Sequence, residues 1–281
     1  MTKPFSLHIP SESCEIPLMF DSPHSGDIYP GNFDTSASLD ILKTGWDAFV
    51  EDLWANCVGV GASLIEAHYP RTYIDPNRAP DDIDLSLIKG EWRGEINPTK
   101  YSERGMGLIR RFALPNVEIY SGSLSVEAVE DRINNFHTPY HKALETRLNN
   151  LHSKFGAVYH IDCHSMKSMG NAMNIDNGKP RPDIVLGDND GQCTEIGFTN
   201  LIRDSFIAKG YSVQVNHPYN GGYIIKQYSS ISENRHSIQI EINRALYMDE
   251  KKFERNQNFS HFKNDLSDIT TNIAEYIKTR I

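Results

Sequence analysis

The chain has 281 residues, of which 39% are hydrophobic, 10% aromatic and 23% charged, and these are the proportions of a folded globular protein. Lys and Arg total 28 against 37 for Asp and Glu, so the formal charge of −9 argues against a nucleic-acid-binding surface. The four cysteines are far apart, no leader is recognisable and no apolar stretch reaches the length of a membrane span. We therefore expect a cytoplasmic protein with reduced thiols and no membrane partner.

The first half of the chain begins with a strand and a helix. The apolar run 16–20 predicts a buried strand that ends at a loop containing Pro and Gly, which places His24 at the strand's carboxyl end. Apolar residues recur every three or four positions over 38–58 and predict an amphipathic helix. Because Asp47 and Glu51 are four residues apart, we expect them to be neighbours on one face of that helix.

A second buried strand is predicted over 62–67, and it opens into a polar loop with Arg71, Asn77 and Arg78. Residues 79–124 are rich in Gly and Pro with only brief apolar pieces. We interpret this segment as an insertion or lid within the domain.

A long helix is predicted over 125–151, with Pro139 kinking or splitting it. The next strand, predicted over 157–164, ends with Asp162 and His164, which are two residues apart and therefore on one face.

The remaining elements continue to alternate between strands and helices. We predict strands over 183–187, 211–217 and 236–242, helices over 195–209 and 259–277, and a turn that contains Gly221 and Gly222. This alternation predicts a single domain over residues 1–281 with an α/β fold, a three-layer α/β/α sandwich with a mixed, mostly parallel sheet.

Ligands of open α/β sheets collect at the carboxyl ends of the strands, where His24, His164 and Glu241 are expected. Two histidines and a helical carboxylate that converge there would satisfy a zinc ion with one position open for water, and Glu241 is well placed to be the general base. The alternatives are hydrogen-bonded structural histidines and a Glu241 that pairs with Arg244. His137 and His141 have metal-pair spacing, but their helix's apolar stripe favours a packing role.

The sequence resembles the N-formylglutamate amidohydrolase (N-formylglutamate deformylase) family over residues 21–250. The motifs that carry the resemblance are DSPHSG at 21–26, DAFVEDL at 47–53, RTYIDPNR at 71–78, FHTPYHKAL at 136–144, HIDCHSM at 160–166, NHPYNGGYI at 216–224 and EINRALYMDE at 241–250. The resemblance implies a zinc-dependent exopeptidase-like (phosphorylase/hydrolase-like) fold. It also implies hydrolysis of N-formyl-L-glutamate to formate and L-glutamate, as in histidine degradation.

Carried over residue by residue, the resemblance makes His24, Asp47 and His164 the ligands of Zn²⁺ or another divalent metal, and Glu241 the catalytic base and acid. Glu51 is an alternative ligand to Asp47, and Asp162 is placed to orient His164.

The expected partner is a small-molecule N-acyl amino acid, and the protein is expected to be a monomer or small homo-oligomer. Arginine binds carboxylates with two hydrogen bonds, asparagine can hydrogen-bond the amide of the substrate, and glycine lets the backbone approach a ligand closely. The candidate substrate-binding residues are therefore Arg71, Asn77, Arg78, Asn243, Arg244 and the glycines Gly221 and Gly222.

Other functions remain open at this point. A deacylase or carboxypeptidase acting on another N-acyl amino acid would share the metal site, and so would a non-catalytic binding module that kept the pocket. A nucleophilic Cys163 is disfavoured because its side chain should point to the strand face opposite Asp162 and His164.

Overall fold

A computed structural model describes residues 3–280. The strands are β1 (Phe5–His8), β2 (Leu18–Ser22), β3 (Ser63–Ala67), β4 (Ile88–Lys89), β5 (Phe112–Leu114), β6 (Val117–Glu118), β7 (Leu124–Ser125), β8 (Val158–Met166), β9 (Ile184–Gly187), β10 (Val213–Val215), β11 (Arg235–Asn243), β12 (Met248–Asp249) and β13 (Glu254–Arg255). The helices are α1 (Leu39–Lys43), α2 (Val50–Trp54), α3 (Lys100–Glu103), α4 (Val126–Arg132), α5 (Thr138–Phe155), α6 (Ile196–Ala208), α7 (Tyr223–Tyr228) and α8 (Phe259–Lys278).

A seven-stranded sheet in the order β1-β3-β2-β8-β11-β9-β10 forms the middle layer. The neighbours β3, β2, β8 and β11 run parallel, whereas β1 is antiparallel to β3 and β9 is antiparallel to β11. The expectation of a mixed, mostly parallel sheet is therefore confirmed. Because β2, β8 and β11 are parallel, the polar segments that follow them meet at one edge of the sheet.

Helices cover both faces of the sheet, which gives the predicted three-layer α/β/α arrangement. On one face, α2, α6 and α8 pack their apolar sides onto the sheet, and Leu266, Ile269 and Ile273 of α8 are fully buried. On the other face, α5 and α7 pack together with apolar residues of the segment 79–124. Each fully buried aliphatic side chain contributes about 1.5–3 kcal/mol to folding, so the helices on both faces stabilise the sheet. None of the helices in residues 3–280 combines the length and apolar character needed to cross a membrane.

The central strand β8 is buried along its whole length, yet its two faces differ in chemistry. Ile161 and Cys163 point into the apolar core beside α2, as expected for Cys163. The opposite face carries His160, Asp162 and His164, and all three are buried. A buried polar group is stable only when it is hydrogen-bonded, so this face has to be paired along its length.

The lower part of that polar face is paired across three strands and a helix. His160 Nε2 lies 2.8 Å from Asp21 Oδ1 on β2, and His160 Nδ1 lies 2.7 Å from Ser237 Oγ on β11. Tyr140 on α5 donates to Asp21 Oδ2 at 3.0 Å. The upper part of the face, from Asp162 onward, opens into the candidate site.

The long helix predicted over 125–151 is split just before Pro139. A π-helical turn, Ile133–His137, separates α4 from α5, and Pro139 lies in the first turn of α5. Proline has no N–H to donate to the preceding turn, which accounts for the interruption.

The single helix predicted over 38–58 is wrong. The chain instead forms α1, an irregular stretch that contains Asp47, and α2, and Phe49 at the start of α2 is left-handed with φ 64°. The Asp47 N–H donates to His24 O at 3.1 Å, so it is not available to a helix. Asp47 therefore lies outside the helix that carries Glu51, and the two are not neighbours on one helical face.

Candidate metal centre and active site

A cavity of about 360 Å³ opens at the carboxyl edge of β8 and β11. Its volume is in the range of small-molecule sites. Most of the residues predicted to form the site line this cavity: His24, Asp47, Arg71, Asn77, Arg78, His164, Gly221, Gly222, Glu241 and Arg244.

His24, Asp47 and His164 converge at the floor of the cavity, and one ligand atom from each lies within 4.8 Å of the others. His24 Nδ1 is 3.4 Å and His164 Nδ1 is 3.2 Å from the same oxygen, Asp47 Oδ2. All three residues are buried, and His24 Nδ1 has no hydrogen-bond partner. A buried ring nitrogen without a partner is costly unless something binds it, and two imidazoles with a carboxylate are a ligand set that suits zinc.

The far nitrogen of each imidazole is held by a second carboxylate. His24 Nε2 donates to Asp75 Oδ1 at 2.7 Å. His164 Nε2 lies 2.7 Å from Asp162 Oδ1 and 2.9 Å from Asn77 Nδ2. These contacts fix the ring orientation and direct both Nδ1 atoms toward the same point. Carboxylates behind histidine ligands are the usual support of metal centres in proteins.

The charges around the cluster favour a cation. Burial lowers the pKa of His24, which keeps its ring in the neutral form that binds metals. Burial also lowers the pKa of His164, but the carboxylates of Asp162 and Asp47 outweigh it and hold that pKa well above its usual value. A proton on His164 is thus stabilised by the same negative charges that would stabilise a divalent ion.

Asp47 is positioned by Arg244. The guanidinium of Arg244 donates to Asp47 Oδ1 at 2.8 Å and to Ser165 Oγ at 3.0 Å, and the Ser165 N–H donates to Asp47 Oδ2 at 3.2 Å. Arg244, which we expected to bind substrate or to pair with Glu241, therefore pairs with Asp47 instead.

Glu51 does not reach the cluster, nor does it line the cavity. Its Oε2 atom is buried without a partner, and burial raises its pKa to about 7. Of the two carboxylates considered as ligands, the structure brings Asp47 to the histidines because the chain leaves the helix at that residue.

Glu241 faces the cluster from the neighbouring strand, since it is in register with His164 across β8 and β11. Gln239 Nε2 donates to Glu241 Oε1 at 2.8 Å, and Gln239 Oε1 accepts the Gly222 N–H at 2.7 Å. Burial raises the pKa of Glu241, which is the direction that suits a group that both takes up and delivers a proton.

The loop 71–78 is organised around Asp75. In addition to His24, Asp75 accepts two hydrogen bonds from Arg71, at 3.1 and 2.6 Å, and one from the Asn77 N–H at 2.9 Å. His137 Nε2 lies 2.9 Å from Arg78 O and His141 Nε2 lies 2.8 Å from Pro76 O, so these two histidines buttress the loop, in keeping with the packing role expected for them.

Asn77 links this loop to the glycine turn. Its Nδ2 donates to Asp162 Oδ2 at 3.1 Å, and its Oδ1 accepts the Ile224 N–H at 2.9 Å. A Cβ atom on Gly222 would lie 2.3 Å from Asn77 Oδ1, so only glycine fits there.

Asn243 is not brought to the cavity. Its Nδ2 lies 3.3 Å from Arg181 O and 3.2 Å from Pro182 O, and its Oδ1 accepts the Ala245 N–H at 3.1 Å. Asn243 thus closes the turn after β11, and the expectation that it contacts substrate has no support in this geometry.

Several residues at the site were not found from the sequence. Arg110 and Lys167 line the cavity, and Gln239 holds Glu241. Arg110 lies in a segment without periodicity, so no pattern marks it. Gln239 could have been found, because it is two residues before Glu241 and therefore shares its strand face.

Comparison with solved structures gives the same architecture. The chain superposes on the crystal structure of N-formylglutamate amidohydrolase from Ralstonia eutropha JMP134 with a TM-score of 0.94 and 40% sequence identity, covering 99% of both chains. It is also 28% identical over 241 residues to N-formylglutamate deformylase of Pseudomonas aeruginosa, covering 84% of each protein. The deformylase of Pseudomonas putida is 29% identical over 256 residues, or 89% of this chain and 87% of the relative.

The fold, the polar cavity and these relatives define a hydrolase that acts on C–N bonds. The family model for N-formylglutamate amidohydrolase matches residues 16–248. The chain belongs to the N-formylglutamate amidohydrolase family.

Proposed function

We propose that the protein is a metal-dependent deformylase that hydrolyses N-formyl-L-glutamate to formate and L-glutamate. The observation that carries the proposal is the convergence of His24 Nδ1, His164 Nδ1 and Asp47 Oδ2 beside Glu241 in one cavity. Zinc is the proposed metal because of this mixed imidazole and carboxylate ligand set, and another divalent ion is the alternative.

When bound, a divalent ion lowers the pKa of a coordinated water and polarises a carbonyl group. The chain itself supplies the proton transfers. Glu241, held at Oε1 by Gln239, takes a proton from the attacking water and delivers it to the amide nitrogen as the C–N bond breaks. The oxygen of the water becomes part of formate, and the amino acid leaves as the free amine.

The charge of the cavity supports an anionic substrate. Although the chain carries a formal charge of −9, its cavity wall is rich in cations. The basic residues that line it are Arg71, Arg78, Lys100, Arg104, Arg110, Lys167, Arg181 and Arg244, against the acids Asp47, Asp176 and Glu241. N-formyl-L-glutamate carries two carboxylates, and a cationic pocket raises its local concentration as well as its affinity.

The test combines metal analysis with an activity assay on the same preparation of the full chain. We expect about one zinc per chain, formate release from N-formyl-L-glutamate, loss of that release with a chelator and recovery when zinc is added back. Full activity of the metal-free protein would contradict the metal dependence. Cleavage of other N-acyl amino acids but not of N-formyl-L-glutamate would contradict the substrate.

A further inference from the structure

The arginines of the cavity differ in whether their guanidinium groups are already hydrogen-bonded to other residues of the protein. Arg71 donates twice to Asp75, and Arg244 donates to Asp47 and Ser165. Arg78 donates to Met106 O at 3.0 Å and lies 4.2 Å over the ring of Tyr101. The three arginines that the sequence suggested as carboxylate-binding residues thus hold the site together.

Arg110 is different, because it is buried to 9% exposure while its Nε atom has no hydrogen-bond partner. The carboxylate oxygen of Asp75 nearest to it, Oδ2, lies 3.6 Å from Nε, beyond hydrogen-bond distance. Asp75 is already occupied by Arg71, His24 and the Asn77 N–H. Arg110 therefore lines the cavity as a cation whose Nε atom has no carboxylate within hydrogen-bond distance.

Lys167 is a second cation that lines the same cavity. Burial lowers the pKa of Lys167 to about 8, and the positive charges of Arg244, Arg110 and Arg181 add to this, while Glu250 opposes it. A buried positive charge without a hydrogen-bonded partner lowers folding stability. A site that retains such a charge next to a second cation is suited to an anion that arrives with the ligand.

We propose that Arg110 is the residue that binds a carboxylate of the N-acyl amino acid, with Lys167 as a neighbouring cation. This inference rests on the proposed function for the identity of the ligand. The planar guanidinium offers two parallel N–H donors to the two oxygens of a carboxylate, and this contact selects acidic over neutral substrates.

The first test compares wild type and Arg110→Gln on four related substrates. N-formyl-L-glutamate has both carboxylates, N-formyl-L-glutamine has only the α-carboxylate, N-formyl-L-isoglutamine has only the side-chain carboxylate, and the diamide has neither. We expect kcat/KM to fall on the order of 100-fold for every substrate that carries the carboxylate Arg110 binds, and to stay within about twofold for the others.

The pattern of loss identifies the carboxylate. A fall in kcat/KM for N-formyl-L-glutamate and N-formyl-L-isoglutamine assigns Arg110 to the side-chain carboxylate. A fall for N-formyl-L-glutamate and N-formyl-L-glutamine assigns it to the α-carboxylate. An equal loss on all four substrates, the diamide included, would overturn the proposal, and so would no loss on any.

The matched control is Arg111→Gln, because Arg111 is the adjacent residue but pairs with Asp84 instead of lining the cavity. It should leave all four values unchanged. Arg110→Lys keeps the charge without the two parallel donors, so we expect it to recover part of the loss on the affected substrates only.

A binding measurement separates this proposal from the proposed function. Calorimetric titration with glutarate, a dicarboxylate that cannot be hydrolysed, should show binding to wild type and to Arg111→Gln, and a loss on the order of 100-fold in Arg110→Gln. If wild type releases no formate but shows this difference, the proposed function fails and the Arg110 site stands. If formate is released and glutarate binds both Arg110→Gln and wild type equally, the Arg110 site fails alone.

Discussion

The pair His24 and His164 and the pair His137 and His141 each place two imidazole rings side by side, with ring centroids 4.6 and 4.2 Å apart. All of these rings are buried except that of His141, which is half-buried. The carboxylates of Asp75 and Asp162 lie behind His24 and His164, and the Asp47 carboxylate lies at both Nδ1 atoms. Behind His137 and His141 stand main-chain carbonyls and a tyrosine hydroxyl.

The difference in partners changes what each pair can do. A carbonyl accepts a hydrogen bond from the ring but carries no negative charge. Burial therefore outweighs the hydrogen bond to the Arg78 carbonyl and lowers the pKa of His137 to about 4, which keeps the ring neutral. A carboxylate adds negative charge, which stabilises a bound cation. The spacing of two histidines along a helix is therefore a weak indicator of metal binding. Whether carboxylates or main-chain carbonyls contact the rings is a stronger one.

The sharpest test of the contrast removes one ring from each pair. His164→Ala should lose bound metal and lower kcat/KM by at least ~10³-fold, because a catalytic metal supplies several kcal/mol of transition-state stabilisation. His137→Ala should keep its metal. Elemental analysis and formate release on both variants check this, and a His164→Ala protein with normal metal content would contradict the ligand assignment.

The base can be separated from the metal centre. Glu241→Gln should retain about one metal per chain and lose roughly 10²–10⁴-fold in kcat, since it removes proton transfer but keeps the shape and the Gln239 contact. The measurement is kcat on metal-replete protein. Activity close to wild type would remove Glu241 from the proposed mechanism.

The carboxylates behind the histidines should contribute a smaller amount. Asp162→Asn keeps the size of the side chain and removes the charge beside His164, so we expect metal affinity to fall about 10–100-fold. Competition with a chelator of known affinity gives the value. Asp188→Asn is a suitable control, because Asp188 is also buried and hydrogen-bonded, to Thr199 and Asn216, but does not line the cavity. Equal affinity in both variants would count against the supporting role of Asp162.

The smallest effect concerns stability rather than activity. The folded-state pKa of His137 is about 4, below its ordinary value of about 6.5, so the unfolded chain takes up the proton first as pH falls. The stability associated with the neutral ring is complete above about pH 6.5 and is lost as pH falls toward 4. The Tm of His137→Gln should therefore decline less over this interval than that of wild type. Parallel Tm curves for wild type and His137→Gln would refute the idea.

The fold could largely be predicted from the sequence, because alternating apolar runs and amphipathic stripes report burial directly. The boundaries of α6 and the stripe of α8 agree closely with the periodicity. The helix predicted over 38–58 fails for a physical reason. Its apolar spacing is helical throughout, but tertiary contacts of Asp47 with His24 and Arg244 replace the helical hydrogen bonds there.

For the site, the sequence predicted most of the residues that line the cavity, but it predicted fewer of the contacts that each residue makes. His24, His164 and Glu241 follow from strand ends. The choice of Asp47 over Glu51 as the nearer carboxylate depends on the break in the helix, and the partner of Arg244 depends on three segments far apart in the chain. Arg110 could not be found, since only the folded structure shows that its Nε atom is buried without a hydrogen-bond partner.

The hydrogen-bonded row of Asp21, His160 and Ser237 beneath the cavity has a consequence for how the site is assembled. Sliding β8 by one residue would turn Ile161 toward Asp21 and Ser237 and bury His160 in an apolar layer, so misaligned sheets are strongly penalised. Asp162 and His164 are two and four residues further along the same strand. The strand register that forms the buried hydrogen bonds of Asp21, His160 and Ser237 is therefore the same register that places Asp162 and His164 at the cavity. Pairing the strands correctly thus also fixes the geometry of the candidate active site.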